Sequence, residues 1–292
     1  MTKKKILIQL DTDAHPSVFD SVTAVDAGVD HLITHHDITP RNVVELVHGA
    51  IFTRGPEDLK STAIFVGGSD VGFGEQVFEQ IGRTFFGPCC VSTMLDSNGS
   101  NTTAAAAVLS AEKHLPIDGV NAAVLAGTGP VGARVAEILV RSGASSVKVT
   151  SRSMERAVSV CERIETKTET ENVLVPTSFE SPEQLDEILS GASAVFSCGG
   201  AGVTLWPRSH WPIKSCQVAI DVNAVPPAGI EAIGVADKAA EIDGTVCYGA
   251  IGVGGMKMKI HKLAIQKLFE SNEQMMDIVE IYEIGRSLLK NS

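Results

Sequence analysis

The run Gly127-Thr128-Gly129-Pro130-Val131-Gly132, preceded by the short apolar stretch 122–126, constrains this chain more than any other segment. Glycine at its first position allows a tight strand-to-helix turn, and glycine at the third lets backbone approach a pyrophosphate. Glycine at the sixth lets the helix pack closely on its strand. The first amides of that helix then face the phosphates. Glycine-rich turns also join strands to helices where no ligand binds, so context decides. Here 133–141 (ARVAEILVR) has apolar residues at helical spacing, Gly143 closes the helix, and Val147-Lys148-Val149-Thr150 reads as a second strand. The turn, with all six of its residues, is therefore predicted to bind a dinucleotide.

The segment after the second strand selects the cofactor. An NAD enzyme keeps an acidic residue there for the ribose 2′-hydroxyl, whereas this chain has Ser151-Arg152-Ser153. Two hydroxyls and a guanidinium suit a 2′-phosphate, which arginine binds through parallel charge-assisted bonds. NADP is the expected cofactor, with NAD as a weaker alternative. The other role open to Arg152 is that of a solvated surface charge.

At 292 residues with 44% apolar residues, the chain can bury two ordinary cores, and the 5% aromatic content makes those cores aliphatic. A net charge of −11 argues against nucleic acid as a partner. The amino-terminal run Met1-Thr2-Lys3-Lys4-Lys5 leads into Ile6-Leu7-Ile8-Gln9-Leu10, too short an apolar stretch for a signal peptide, and no run reaches membrane-spanning length. A soluble cytoplasmic protein with no membrane partner is expected. The six cysteines show no CxxC pairing, so free thiols and no metal site are predicted.

The first third alternates strand and helix: strands at 5–10, 31–34, 61–66 and 90–94, helices at 16–27, 39–48 and 74–83. A strong helix spans 102–114, and Pro116 with Asp118-Gly119 breaks it just before the glycine-motif strand. The predicted fold class is α/β with two domains. A parallel-sheet substrate domain covers 1–115, completed by a carboxyl-terminal helix at 265–292, and a Rossmann-type NADP-binding domain covers 116–264. A cleft between them is the expected place for substrate. Three segments are predicted to reach it: 10–13 after the first strand, 95–103 after the fourth, and the glycine-rich run 249–257 as a loop before the last helix.

The motifs LDTDAHPSVFD, TAIFVGG, MLDSNGSNTTAAA, VLAGTGPVG followed by SR, GAIGVGGMKMKIHK and KLFES are spread from end to end. Together they resemble the NADP-dependent methylene-tetrahydromethanopterin dehydrogenases of bacterial one-carbon metabolism. The resemblance implies oxidation of methylene-tetrahydromethanopterin to the methenyl cation with reduction of NADP. It also implies a homo-oligomer, trimeric or larger (a hexamer included), and admits a folate pterin as substrate. The segments expected to reach the cleft are rich in small hydrogen-bonding side chains suited to a polar ligand, so Asp13, Ser17, Asn98, Ser100 and Thr102 are taken as substrate contacts.

The chemistry narrows the catalytic candidates. Hydride leaves a carbon held between two nitrogens whose lone pairs stabilise the cation, so positioning and nearby carboxylates matter more than a strong base. Asp13, Asp20 and Asp96 are the carboxylates placed near the expected cleft, and Asp20 and Asp96 are taken as catalytic. Each also has an ordinary role open to it: a helix N-terminal charge for Asp13, a solvated helix position for Asp20 and loop capping for Asp96. Lys257 is the expected cationic site residue, with Lys259 pointing the same way if the segment is extended. A tetrahydrofolate-specific dehydrogenase would carry a Tyr and a Lys one turn apart in its first domain, and the only tyrosines here are Tyr248 and Tyr282. A shikimate- or amino-acid-type dehydrogenase would need a clearer Lys-Asp pair, and a non-catalytic NADP sensor would not need the cleft loops.

Overall fold

The structure, a computed structural model, describes residues 3–290. Met1 and Thr2 of the amino-terminal run, and 291–292 of the expected last helix, lie outside the described residues. In chain order the elements are β1 (Ile6–Asp11), α1 (Val18–Asp26), β2 (His31–His35), α2 (Val43–Ile51), α3 (Pro56–Leu59), β3 (Thr62–Gly67), α4 (Val71–Thr84), β4 (Ser92–Leu95) and α5 (Ser100–Glu112). There follow β5 (Asn121–Leu125), α6 (Pro130–Arg141), β6 (Ser146–Ser151), α7 (Met154–Thr168), β7 (Leu174–Ser178), α8 (Leu185–Leu189), β8 (Ala194–Ser197) and β9 (Val218–Asp221). The chain ends with β10 (Lys238–Ile242), β11 (Thr245–Tyr248), α9 (Ala250–Lys267), β12 (Met275–Met276) and α10 (Ile278–Lys290).

Two compact units result. One contains the chain up to Thr102 together with the residues from Met258 onward, and the other is Thr103–Lys257. The division falls inside α5 and α9, not in the Pro116 to Gly119 break. α5 explains why: residues 104–109 are all fully buried, and a helix apolar on every side belongs to a core.

The first unit holds a five-stranded parallel sheet in the order β12-β4-β3-β1-β2. β3 is the middle strand, and β1 lies between it and the edge strand β2, with Ile8 level with Ile33 on one side and Ile64 on the other. Leu10, Val43, Val47, Val66, Val77 and Ile81 fill one core beside it. The second unit holds a seven-stranded sheet in the order β10-β11-β9-β8-β5-β6-β7. Six of its strands run parallel and β10 is antiparallel to β11, so the sheet is mixed at one edge. Strand order reverses between β1 and β3 in the first sheet and between β5 and β8 in the second. Such switch points open a crevice at the carboxyl ends of the strands.

Several elements depart from the sequence reading. The run 249–257 is not a loop: α9 starts at Ala250 and carries it as helix. Glycine is a poor helix former, which misled the reading. Here Gly249 and Gly252 are required because the backbone around Gly234, Val235 and Asp237 packs where their Cβ atoms would stand. The expected single carboxyl-terminal helix is two helices separated by β12, which pairs with β4. α2 starts at Val43 rather than Thr39, because Thr39 and Asn42 bond each other's amides before the helix begins. Among the described residues no helix is long and apolar enough to cross a membrane.

Candidate functional site

In the second unit the glycine turn sits at the carboxyl end of β5. Gly127 N donates to Thr150 O at 2.9 Å, and Ala126 N to Thr150 Oγ1 at 3.0 Å, so the turn is anchored on β6. The three motif glycines then differ in what surrounds them. A Cβ on Gly127 would meet Val149 Cγ1 at 2.8 Å and Val124 O at 2.9 Å. One on Gly132 would meet Gly127 Cα at 2.7 Å and Ala126 O at 2.8 Å. Those two are glycine because the fold packs against them. One on Gly129 would meet only Ala126 O at 3.5 Å and Cys198 O at 3.9 Å, ordinary contacts. None of the described residues requires glycine at 129, so a cradle that a Cβ would fill is left open there, as a pyrophosphate needs. Gly129 is also the N-cap of α6. Pro130 has no amide hydrogen and Ala133 N bonds Gly129 O, which leaves the amides of Val131 and Gly132 at the helix start facing that space.

At the end of β6, Ser151 is buried and its Oγ accepts from Ser153 N (3.2 Å) and Thr128 Oγ1 (3.3 Å). Ser153 caps α7, its Oγ accepting from Arg156 N at 3.3 Å. The two hydroxyls therefore shape the loop, while Arg152 is exposed and forms no hydrogen bond or ion pair with the described residues. Its guanidinium beside a helix N-terminus fits a phosphate. These residues fit a dinucleotide, and a 2′-phosphorylated one in particular. Sequence reasoning missed Thr150 and Cys198 here. A hydroxyl at the end of the second strand was the available signal for Thr150.

The same unit carries Asp221 at the end of β9, fully buried and accepting from Asn223 N (3.1 Å) and Ile230 N (3.0 Å). Burial pushes its carboxyl above the usual carboxylate range. It fixes the loop that returns past Gly229.

In the first unit the loops after β1, β3 and β4 are tied together around Gly67 and Gly68. Asp11, buried at the end of β1, accepts from Asp13 N through Oδ1 and from Ser17 N through Oδ2, both at 3.0 Å. Asp13 accepts from Ser69 N and Ser69 Oγ, both at 2.9 Å, and so joins the β1 loop to the β3 loop. Asn98 N donates to Gly68 O at 2.7 Å and Ser97 Oγ to Gly67 O at 3.2 Å, joining the β4 loop. Ser17 is the N-cap of α1, its hydroxyl accepting from Asp20 N at 3.2 Å. The Cβ that Gly67 lacks would lie 3.2 Å from Asp11 Oδ2 and 3.7 Å from Asp20 Oδ2, so two carboxylates converge at the β1/β3 switch point.

Asp96 is fully buried. It accepts from Thr102 N at 3.0 Å and Thr102 Oγ1 at 2.7 Å, and its Oδ2 lies 3.8 Å from Nδ1 of His261, also fully buried. Asp96 thus has the capping role, holding the first turn of α5. Ser100 and Thr102, expected as substrate contacts, are both wholly buried, and their hydroxyls donate to Ser97 O (2.8 Å) and Asp96. Only Asn98, exposed with φ 54°, offers its side chain from that loop to solvent. Lys257 is half-buried in the middle of α9, and Lys259, two residues on, is exposed; on a helix they diverge, so the shared direction expected of a strand is lost. Lys257 instead shares a helix face with His261, four residues later. The sequence reading passed over Asp11, Gly67, Phe19 and His261. Among the described residues no group of three or more His, Cys, Asp or Glu is arranged to hold a metal ion.

The family described as methylene-tetrahydromethanopterin dehydrogenase, N-terminal, matches residues 18–98. The bifunctional protein MdtA of Methylorubrum extorquens is 43% identical over 288 residues, covering 98% of this chain and 99% of that protein. The NAD(P)-dependent methylenetetrahydromethanopterin dehydrogenase of the same organism is 29% identical, covering 97% of this chain and 98% of that protein. Among solved structures, quinate dehydrogenase from Corynebacterium glutamicum in complex with NAD superposes with a TM-score of 0.55 at 16% identity, covering 98% of this chain and 100% of that one. That likeness establishes the two-domain α/β fold.

Proposed function

The chain belongs to the methylene-tetrahydromethanopterin dehydrogenase family, and from that premise we propose that it oxidises methylene-tetrahydromethanopterin to the methenyl form by direct hydride transfer to NADP. The whole-length likeness to the curated relatives carries this reading. The open position at Gly129 supports its cofactor half, in agreement with a relative named for NAD(P) dependence.

Bound NADP would supply the hydride acceptor, the nicotinamide ring. The chain's part in the cofactor half is to hold the pyrophosphate on the amides of Val131 and Gly132 and the 2′-phosphate on Arg152. Its part in the substrate half falls to the β1/β3 switch point. When a hydrogen leaves the methylene carbon with both bonding electrons, the carbon becomes a cation shared with its two nitrogens, and no proton is released. The Asp20 carboxylate, steadied by the Ser17 cap, favours that charge, and Asp11 fixes the loop that carries Ser17. Asp13 and Asn98 shape and line the same edge, and Lys257 supplies a cation for the polar or anionic parts of the pterin. The cytoplasmic location is supported by the short apolar run at the amino terminus, and assembly into a trimer or hexamer by the family resemblance; light-scattering mass tests the assembly.

The assay is direct. Purified protein with methylene-tetrahydromethanopterin and NADP should generate NADPH absorbance, more slowly with NAD. Absence of turnover with this pterin and with methylene-tetrahydrofolate alike would overturn the proposal.

A further inference from the structure

One exposed aromatic ring in the first unit is built into a buried stack. Phe19, the second residue of α1 and the neighbour of Asp20, is 49% exposed. Its ring centroid lies 6.2 Å from that of His261, tilted by 49°. His261 in turn stacks on Phe65 of β3 at 5.6 Å and 14°. Both inner rings are buried, and Nδ1 of the imidazole lies 3.8 Å from Asp96 Oδ2. Phe65 Cε1 lies 3.3 Å from the Cβ position that Gly67 leaves empty, the point on which Asp11 and Asp20 also converge. The stack therefore runs from the carboxylate junction out to one half-solvated ring.

Other apolar side chains on α1, Val18, Val22 and Val25, are also exposed, and none belongs to a ring stack. Aromatic pairs are stabilised at centroid separations of about 4.5–7 Å. A flat heterocycle laid on Phe19 would cover the exposed face and extend the stack beside the carboxylates that favour its cation.

Building on the proposed reaction, we propose that Phe19 is a substrate-contact residue that receives the flat face of the reduced pterin, and that His261, braced on Phe65, is a positioning residue that holds the Phe19 ring. The chain would then recognise its substrate by ring shape as well as by charge.

The test uses the full-length protein and its variants Phe19→Ala, Phe19→Tyr, His261→Ala and His261→Phe. Phe19→Ala should raise the pterin KM about tenfold while the NADP Kd stays within about twofold, and Phe19→Tyr should stay near wild type, in line with the energy of an aromatic stack. His261→Ala should reproduce the KM increase, and His261→Phe, which keeps a flat ring, should restore most of it. Should His261→Ala fail to fold, the partly exposed Phe19 pair still decides. An unchanged pterin KM in Phe19→Ala, or an equal loss of NADP affinity, overturns the inference. A wild type that does not turn over overturns the assigned reaction instead; calorimetric titration with methylene-tetrahydromethanopterin then reads the Phe19 contact directly, and equal Kd values for wild type and Phe19→Ala contradict it.

Discussion

The glycine turn of the second unit and the carboxylate junction of the first occupy equivalent places, each at the carboxyl end of a sheet where strand order reverses, yet they are built from opposite materials. The turn at 127–132 is backbone: two glycines are demanded by packing, and the third leaves room for a ligand. The junction is side chains, with Asp11, Asp13 and Asp96 tying three loops by bonds to amides and hydroxyls. A phosphate can be held by amides and a helix end, which any sequence with the right glycines supplies. A pterin needs shape and charge at particular points, and so the loops that present them must be fixed from beneath.

The comparison is broken most severely by filling the wrong glycine. Gly132→Ala puts a methyl against backbone that cannot retreat and should cost about 3 kcal/mol of stability, lowering the urea midpoint together with NADP binding. Gly129→Ala should leave the midpoint nearly unchanged and still weaken NADP tenfold or more. Equal effects on stability would remove the distinction between packed and open glycine. In the first unit, Asp96→Ala strands the Thr102 amide and hydroxyl in the core, at a cost of about 2–3 kcal/mol. Its urea midpoint should fall while NADP affinity in the surviving folded protein stays constant, and a change in NADP affinity alone would contradict the capping role.

Next in size is the cofactor preference. Arg152 is exposed, so a guanidinium–phosphate pair there should be worth about 1.5–3 kcal/mol, roughly ten- to hundred-fold in favour of NADP. Arg152→Ala should lose that factor for NADP and leave kcat/KM for NAD nearly unchanged; equal losses would assign the arginine to the fold or to the adenine ring.

The smallest effect sharpens the contrast through pH. His114, in the second unit, bonds Tyr248 at 2.8 Å, and burial holds its pKa below the ordinary 6.5. The unfolded chain takes up the proton more readily, so this contribution to stability is intact above that value and is lost as the pH falls through the lowered folded one. The gap in urea midpoint between wild type and His114→Gln should therefore narrow from pH 7.5 to pH 5, and a constant gap would contradict the assignment.

The same contrast explains what was legible in the sequence. The glycine spacing and the Ser151-Arg152-Ser153 run are local, so the turn, its strands and the exposed arginine could be read from one segment. The junction joins residues 11, 67, 96 and 261, and no local pattern announces that Asp96 lies beside His261 or that Ser100 and Thr102 face inward. Asp13 was noticed and Asp11, two residues earlier, was not, because both are carboxylates at a strand end and only packing shows which is buried. The helix over 250–267 was hidden because its glycines serve contacts with the chain near Gly234 and Asp237, which are remote in sequence.

The central claim is that hydride passes directly from the pterin methylene carbon to NADP, with the chain supplying position and charge. Methylene-tetrahydromethanopterin carrying two deuterium atoms at that carbon tests it in one experiment, read by mass spectrometry of the reduced cofactor. The account predicts one deuterium retained in each NADPH formed, at the nicotinamide ring, with none released to water. Deuterium in the solvent and unlabelled NADPH would contradict it.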